Sequence, residues 1–174
     1  MDWTLALARL IELNTFVSVW YWLAVIVTWS VASNWLIGVP FDVLFRARKL
    51  GEVELADLEA LVDINVRRIV SMNEIFAPAF VALIAFALSA LCVMSFVYRF
   101  ELAQGLLALA APLTVVVMVN MRLAHQLHAV PLTGRTLVRK LFAVRLWTQI
   151  VGMLALFFTA FYGMYYAISS QQFF

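Results

Sequence analysis

The chain contains two histidines, His125 and His128, and a helix would carry both rings on one side. Metal sites use this spacing, but they take three or four ligands, and no nearby carboxylate or cysteine completes a set here. Cys92 is the only cysteine, so it has no partner for an internal disulfide or a cysteine–histidine metal site. The sequence predicts no metal site and no cofactor, with the histidine pair solvated at the level of lipid headgroups.

Other arrangements that perform chemistry are missing from the sequence as well. It has no serine–histidine–acid set, no paired acids within a site and no glycine-rich phosphate loop. Its long apolar runs contain no charged residue, whereas ion pathways through membranes usually contain one. We therefore expect neither an enzyme nor an ion-coupled transporter. A polar cavity for a small uncoupled transporter or a lipid-handling protein would have to be lined by Asn34, Asn120 and Gln149.

The elements that carry these residues are long apolar segments. Of 174 residues, 66% are hydrophobic and 13% are charged, which is far from the composition of a soluble domain. A membrane-spanning helix needs about 20 apolar residues. The sequence predicts a single-domain, all-α integral membrane protein with four transmembrane helices, at about 16–37, 75–97, 102–121 and 146–168.

The basic residues predict the orientation of these spans. Two loops, 39–73 and 122–145, hold five Lys and Arg residues each, and only Arg9 and Arg99 lie on the other side. Basic loops favour the cytoplasmic side. We expect a bacterial inner-membrane protein with both loops in the cytoplasm and both termini in the periplasm. Since the bases lie where topology requires them, they do not indicate nucleic-acid binding.

Two further helices are predicted outside the spans. Residues 2–14 have the pattern of a short interfacial helix, with Trp3 and Leu7 on its apolar face. In the first loop, an acidic segment begins at Glu52 and predicts an amphipathic helix with Leu55, Leu58 and Val62 on one face. That face either covers the bundle or the headgroup layer, or it docks a partner.

Two groups of residues are candidates for interactions. The second loop carries a basic cluster that attracts anionic headgroups, at about 1 kcal/mol per residue, or else docks an acidic partner. The last span carries a stripe of small residues at a spacing of four, which packs helices within one chain or between chains. The basic cluster is Arg135, Arg139, Lys140 and Arg145, and the stripe is Ala155, Thr159 and Gly163.

Several stretches resemble a known family. They are Trp20–Trp22, Ser30–Asp42, Ala47–Arg48, Asp57–Val66, Gly152–Met153 and Gly163–Tyr165. They are similar to small four-span alphaproteobacterial membrane proteins that often carry the label "component of SufBCD complex". The resemblance implies four spans and a part in iron–sulfur cluster assembly, with the cytoplasmic loops tethering a soluble machine. It assigns no catalytic residue. Clusters are held by several cysteine thiolates, and Cys92 alone cannot hold one.

We therefore expect a non-catalytic accessory or assembly subunit of a larger inner-membrane complex of a bioenergetic, respiratory or photosynthetic kind. Its partners would be membrane lipids and other membrane subunits. A membrane anchor for a cytoplasmic machine such as iron–sulfur cluster assembly is the first alternative. A small uncoupled transporter or lipid-handling protein is the second.

Overall fold

The computed structural model describes residues 16, 18–49 and 51–171, and this part of the chain is almost entirely helical. The predicted N-terminal interfacial helix, residues 2–14, lies outside these ranges. A two-stranded hairpin is formed by β1 (Trp35–Leu36) and β2 (Val39–Pro40). The helices are α1 (Val19–Asn34), α2 (Phe41–Lys49), α3 (Glu52–Phe96), α4 (Glu101–Ala129) and α5 (Gly134–Gln171).

Among the described residues, three helices are long and apolar enough to cross a membrane: α3, α4, and α5 over Gly134–Tyr165. These helices indicate a membrane protein. The first predicted span, 16–37, overlaps α1, which has 16 residues, begins at Val19 and ends at Asn34.

The predicted amphipathic helix and the second predicted span form one continuous helix, α3, of 45 residues. No glycine or proline separates Glu52 from Ala77, so nothing in that segment ends the helix, and it continues through Pro78. At 1.5 Å per residue α3 is about 68 Å long, more than twice the roughly 30 Å of a hydrocarbon core. All its charged residues lie between Glu52 and Glu74, so this half must project out of the apolar layer.

A tight hairpin separates α1 from α2. Its two turn residues, Ile37 and Gly38, have φ angles of 52° and 72°, as a type I′ turn requires. The Nδ2 of Asn65 in α3 donates a hydrogen bond to the Gly38 carbonyl at 3.4 Å. A Cβ on Gly38 would lie 3.3 Å from the Asn65 side chain, so glycine allows both the backbone angle and the close approach to α3.

The long helices pack antiparallel to their neighbours. Two hydrogen bonds join α3 to α4. At one end the side-chain amide of Gln104 donates to the Ser95 carbonyl, and at the other the side chain of Asn73 is hydrogen-bonded to the His125 ring. The four-residue connection between these helices permits only this antiparallel hairpin. The side chain of Trp29 in α1 covers Gly152 of α5. The side chain of Phe16, which precedes α1, covers Gly163 of α5. The order of packing is thus α3 on α4, α4 on α5, and α5 on α1.

Most buried apolar residues lie at the end of the molecule that carries the charged loops. We call this cluster the basal core. It draws on the hairpin, on α2, on the charged half of α3, on the end of α4 and on the start of α5. Its buried members are Ile37, Val39, Leu44, Ala47, Leu58, Val62, Val66, Val70, Leu123, Ala124, Leu127, Leu137, Val138, Leu141 and Val144.

The rest of the molecule, which we call the membrane section, consists of α1 and residues 75–96, 102–121 and 146–165. Its buried apolar cluster has three members, Val25, Trp29 and Val116. Most large apolar side chains of this section are exposed. A lipid environment accommodates such a surface without cost, and water does not.

Candidate interaction surfaces

The apolar face of the acidic segment is turned inward. Leu58 is 0% exposed, Val62 is buried and Leu55 packs against the same cluster. These residues join the charged half of α3 to α2, α4 and α5. The face therefore covers the protein's own bundle in this structure, and its buried members offer no surface to a partner.

A carboxylate of the same segment caps another helix. The Glu59 side chain accepts a hydrogen bond from the backbone N–H of Gly134, the first residue of α5. The first N–H groups of a helix lack partners within the helix, and a negative charge there also interacts favourably with the helix dipole. The contact joins residues 75 positions apart and holds the acidic segment on the start of the basic one.

Two of the four predicted basic residues, Arg139 and Lys140, line a groove of about 610 Å³. The groove also contains Arg48 from α2 and the hydroxyl-bearing Thr136, and no acidic residue of the described part of the chain lines it. Cations from two separate helices thus converge on one surface hollow. Arg135 is exposed outside this lining, and Arg145 is half-buried beside it.

Aromatic rings hold the basic side chains of this region. The Arg145 guanidinium carbon lies 3.6 Å from the centroid of the Phe41 ring, and that of Arg48 lies 5.0 Å from the Phe142 centroid. Such cation–π contacts contribute about 0.5–1 kcal/mol at exposed sites. No helix was predicted over α2. A signal for one is present, because Phe41, Phe45 and Arg48 have the i, i+4, i+7 spacing of one helix face.

Aromatic side chains of α1 and of Phe16, which precedes it, pack against the small residues of α5. A Cβ on the neighbouring Gly152 would lie 2.8 Å from the Trp29 ring, and one on Gly163 would lie 3.1 Å from Phe16. Thr159 is buried between these two glycines, and Ala155 packs against the cluster around Trp29. The small residues allow aromatic side chains of α1 to approach the α5 backbone closely.

Backbone and ring hydrogen bonds tie α1 to α4 at the end opposite the basal core. The Phe16 N–H donates to a Glu101 carboxylate oxygen at 3.0 Å, and the Tyr21 hydroxyl donates to the Gly105 carbonyl at 3.1 Å. The Trp22 ring N–H donates to the Phe16 carbonyl at 2.9 Å. Hydropathy and helical periodicity do not predict these hydrogen bonds.

The two histidines have different surroundings. Both are exposed, but His125 is hydrogen-bonded to Asn73 of α3, with 2.9 Å between Nε2 and Nδ2. Over residues 16, 18–49 and 51–171, no three His, Cys, Asp or Glu residues are grouped so that they can hold a metal ion.

The three neutral polar residues proposed for a transport cavity do not come together. Gln149 lines a hollow with Phe41 and Arg145, and neither Asn34 nor Asn120 belongs to that lining. Asn34 is exposed. The side-chain oxygen of Asn120 is buried and has no hydrogen-bond partner in the described part of the chain.

Of the three helices that are long and apolar enough to cross a membrane, α3 is the least buried. Only 6% of the most apolar window of this helix is buried, against 17% and 22% for α4 and α5. Three small residues at spacings of three and four, Ala82, Ala85 and Ser89, are exposed there. We call them the α3 stripe. Within residues 16, 18–49 and 51–171 no helix covers these three side chains, although Ala85 also lines a groove between α3 and α4.

Compared with known proteins, the chain matches no protein-family model, no curated protein and no solved structure.

Proposed function

We propose that this protein is a non-catalytic accessory or assembly subunit of a larger bacterial inner-membrane complex, and that it contacts that complex through α3. The observation that carries the proposal is the exposed α3 stripe on the least buried of the spanning helices. In the α5 stripe, Ala155 packs against the cluster around Trp29 of α1 and Thr159 is buried, so the chain itself provides an example of how such a surface packs.

Helix association in lipid gives this observation its weight. Lipid tails are as apolar as leucine, so helices associate through close packing, which small residues permit. Ala82 and Ser89 offer lipid little contact area but allow a second helix to approach the α3 backbone. A helix from another subunit is the partner that this surface suits.

The test is purification of the full chain from its native membrane in a gentle detergent, followed by identification of the co-migrating proteins. The double variant Ala82→Leu, Ser89→Leu should lose the partner, because two larger side chains prevent close approach. Ala111→Leu, Ala160→Leu is the matched control, since both alanines are exposed on other helices. A wild-type protein that migrates alone in every detergent, or a stripe variant that keeps its partner, would refute the proposal.

We propose that α1 is the fourth span. Its 16 residues extend about 24 Å, somewhat less than the apolar layer. However, Phe16, three residues before α1, contacts α5 at Gly163, and Trp29 of α1 contacts it at Gly152, so α1 lies alongside a helix that is long enough to cross. The absence of charge between Glu12 and Asp42 also supports this proposal.

We further propose that the basal core lies in the cytoplasm and that both termini are periplasmic, because ten of the twelve basic residues belong to the basal loops. In a Cys92→Ala background, Gln172→Cys should react with a membrane-impermeant reagent added from the periplasm. Thr133→Cys, in the turn before α5, should react only after the cytoplasmic side is opened. The opposite pattern of labelling would reverse the orientation.

The basic groove supports a contact with anionic lipid. Arg48, Arg139 and Lys140 converge on it without an acidic neighbour in the lining, at the depth where the apolar residues of α5 begin. Anionic headgroups interact with such residues at about 1 kcal/mol each. Replacement of all three by glutamine should weaken flotation with vesicles containing phosphatidylglycerol more than flotation with neutral vesicles.

A cytoplasmic anchor is the second candidate function. The outward side of the acidic segment supports it, because Glu52 and Asp57 are exposed and Val53 is 73% exposed. The resemblance to proteins labelled as SufBCD components points the same way. If this candidate is correct, the protein should capture soluble iron–sulfur assembly proteins in a salt-sensitive way. The double variant Glu52→Gln, Asp57→Asn should abolish this capture. Capture that is unaffected by salt would count against it.

A further inference from the structure

A second groove lies between α3 and α4. It has a volume of about 420 Å³ and runs along the seam of the two helices. Its walls are apolar over most of its length, with Val81 and Leu88 from α3 and Val117 and Met118 from α4. The hydroxyl of Thr114, which also lines it, donates to the Ala110 carbonyl at 2.8 Å and so offers no free donor.

One end of this groove is polar. Asn73, Arg122 and His125 line it there, at the boundary where the apolar runs of α3 and α4 give way to charged residues. The 2.9 Å contact between His125 Nε2 and Asn73 Nδ2 is a hydrogen bond in which the amide nitrogen donates, so Nε2 accepts. The proton of a neutral His125 ring is then on Nδ1, which is a donor, and the permanently charged Arg122 lines the same groove. The nearest acid in the sequence, Glu74, does not belong to the lining.

The length of the groove can be compared with that of a lipid tail. From Asn73 to Leu88 the α3 axis rises about 22 Å. One leaflet contributes half of the hydrocarbon core, or about 15 Å. An extended acyl chain that begins at the polar end therefore fits within the groove. A groove with a polar, cationic end and apolar walls of this length is complementary to an anionic amphiphile.

We propose that this groove binds one glycerophospholipid, with the headgroup phosphate on Arg122 and His125 and one acyl chain along the seam between α3 and α4. Arg122 supplies the charge complementarity, because a phosphate accepts charge-assisted hydrogen bonds from a guanidinium. A neutral isoprenoid lipid would use the trough but not the cation. The site goes beyond the proposed function, since it faces the seam with α4 and needs no second subunit.

The first test measures the phosphate contact. The full chain is stripped of lipid in detergent and titrated with phosphatidylglycerol, and with diacylglycerol of the same acyl chains, and bound lipid is counted by native mass spectrometry. Phosphatidylglycerol should bind one-to-one and diacylglycerol should not. Arg122→Gln should weaken phosphatidylglycerol binding by about tenfold, because one charge-assisted hydrogen bond is lost. Arg68→Gln, at an exposed basic residue outside the groove, is the matched control and should leave binding unchanged.

The second test measures the apolar trough. Val81→Trp places a large ring over the groove from a position that is 64% exposed, so the fold should tolerate it, and bound phosphatidylglycerol should fall several-fold. Leu83→Trp is the control, because Leu83 is 63% exposed and does not line the groove. Equal lipid retention in all variants, which indicates annular lipid only, would overturn the proposal. Equal binding of diacylglycerol, or stoichiometric release of an isoprenoid quinone from the native protein, would overturn it too. Ala85 belongs both to the groove lining and to the α3 stripe, but the stripe is tested at Ala82 and Ser89, which do not line the groove.

Discussion

The basal core and the membrane section are built from the same helices but held together in different ways. The basal core buries fifteen residues, all of them aliphatic, from five elements. The buried apolar cluster of the membrane section has three, and one of these is the ring of Trp29. In water, removal of aliphatic surface from solvent drives packing at roughly 25 cal/mol per Å². Between helices in lipid this drive is absent, so close approach over glycines and hydrogen bonds near the helix ends replace it.

The comparison shows where this small protein obtains its tertiary specificity. The charged half of α3 does not depend on lipid for its position, because α2, α4 and α5 all contact it in the basal core. The apolar half of α3 packs chiefly on α4 and leaves most of its surface open. A single continuous helix thus connects a tightly packed region to one with an exposed face.

The largest expected effect is loss of a side chain from the basal core. Leu58→Ala and Leu141→Ala each remove a side chain that is 0% exposed, and each should reduce the free energy of unfolding by about 2–5 kcal/mol. Phe86→Ala is the control in the membrane section. Because Phe86 is 73% exposed, its loss should change stability by less than about 0.5 kcal/mol. Denaturant unfolding in micelles, followed by circular dichroism, measures both. Equal losses would show that the two regions are packed alike.

The next largest effect should come from the contact between α1 and α5. Gly152→Ala adds a Cβ 2.8 Å from the Trp29 ring, and either the ring or the helix must move. Such overpacking costs about 1–3 kcal/mol. The double variant Gly152→Ala, Trp29→Leu should recover much of this loss, since the clash is with the ring. If the double variant loses the sum of the two single losses, Gly152 and Trp29 are not coupled.

The sequence predicts much of this fold because apolar length and charge position are local properties. The spans in α3, α4 and α5, and the inward apolar face around Leu58, follow from hydropathy and helical periodicity. The continuity of α3 through Glu74 was not predicted, because a change from charged to apolar composition resembles the end of an element. Nothing in the backbone chemistry there ends a helix.

The contacts that assemble the surfaces could not be predicted in the same way. Arg48 lines one groove with Arg139 and Lys140, and Asn73 is hydrogen-bonded to His125. In each case the residues from the two helices are 52 residues or more apart in the sequence. These pairings depend on how far each helix extends before it turns, and no local pattern encodes that distance. Composition predicts the basic residues of α5 as a group, and two of them, Arg139 and Lys140, line the groove, but the contribution of Arg48 from α2 became evident only in three dimensions.

The smallest effect concerns the polar contact that closes the basal core. Glu59→Gln removes the negative charge at the first N–H of α5 but keeps an acceptor oxygen, so the expected loss is about 0.5–1 kcal/mol. Asp63→Asn is the matched control one turn further along α3. It breaks an exposed pair with Arg67 at 2.8 Å, and such surface pairs contribute little. Added salt should reduce the difference between Glu59→Gln and wild type only slightly, because the Glu59–Gly134 bond is partly buried. If Asp63→Asn costs as much as Glu59→Gln, general surface charge stabilises the acidic segment, and the cap on α5 does not.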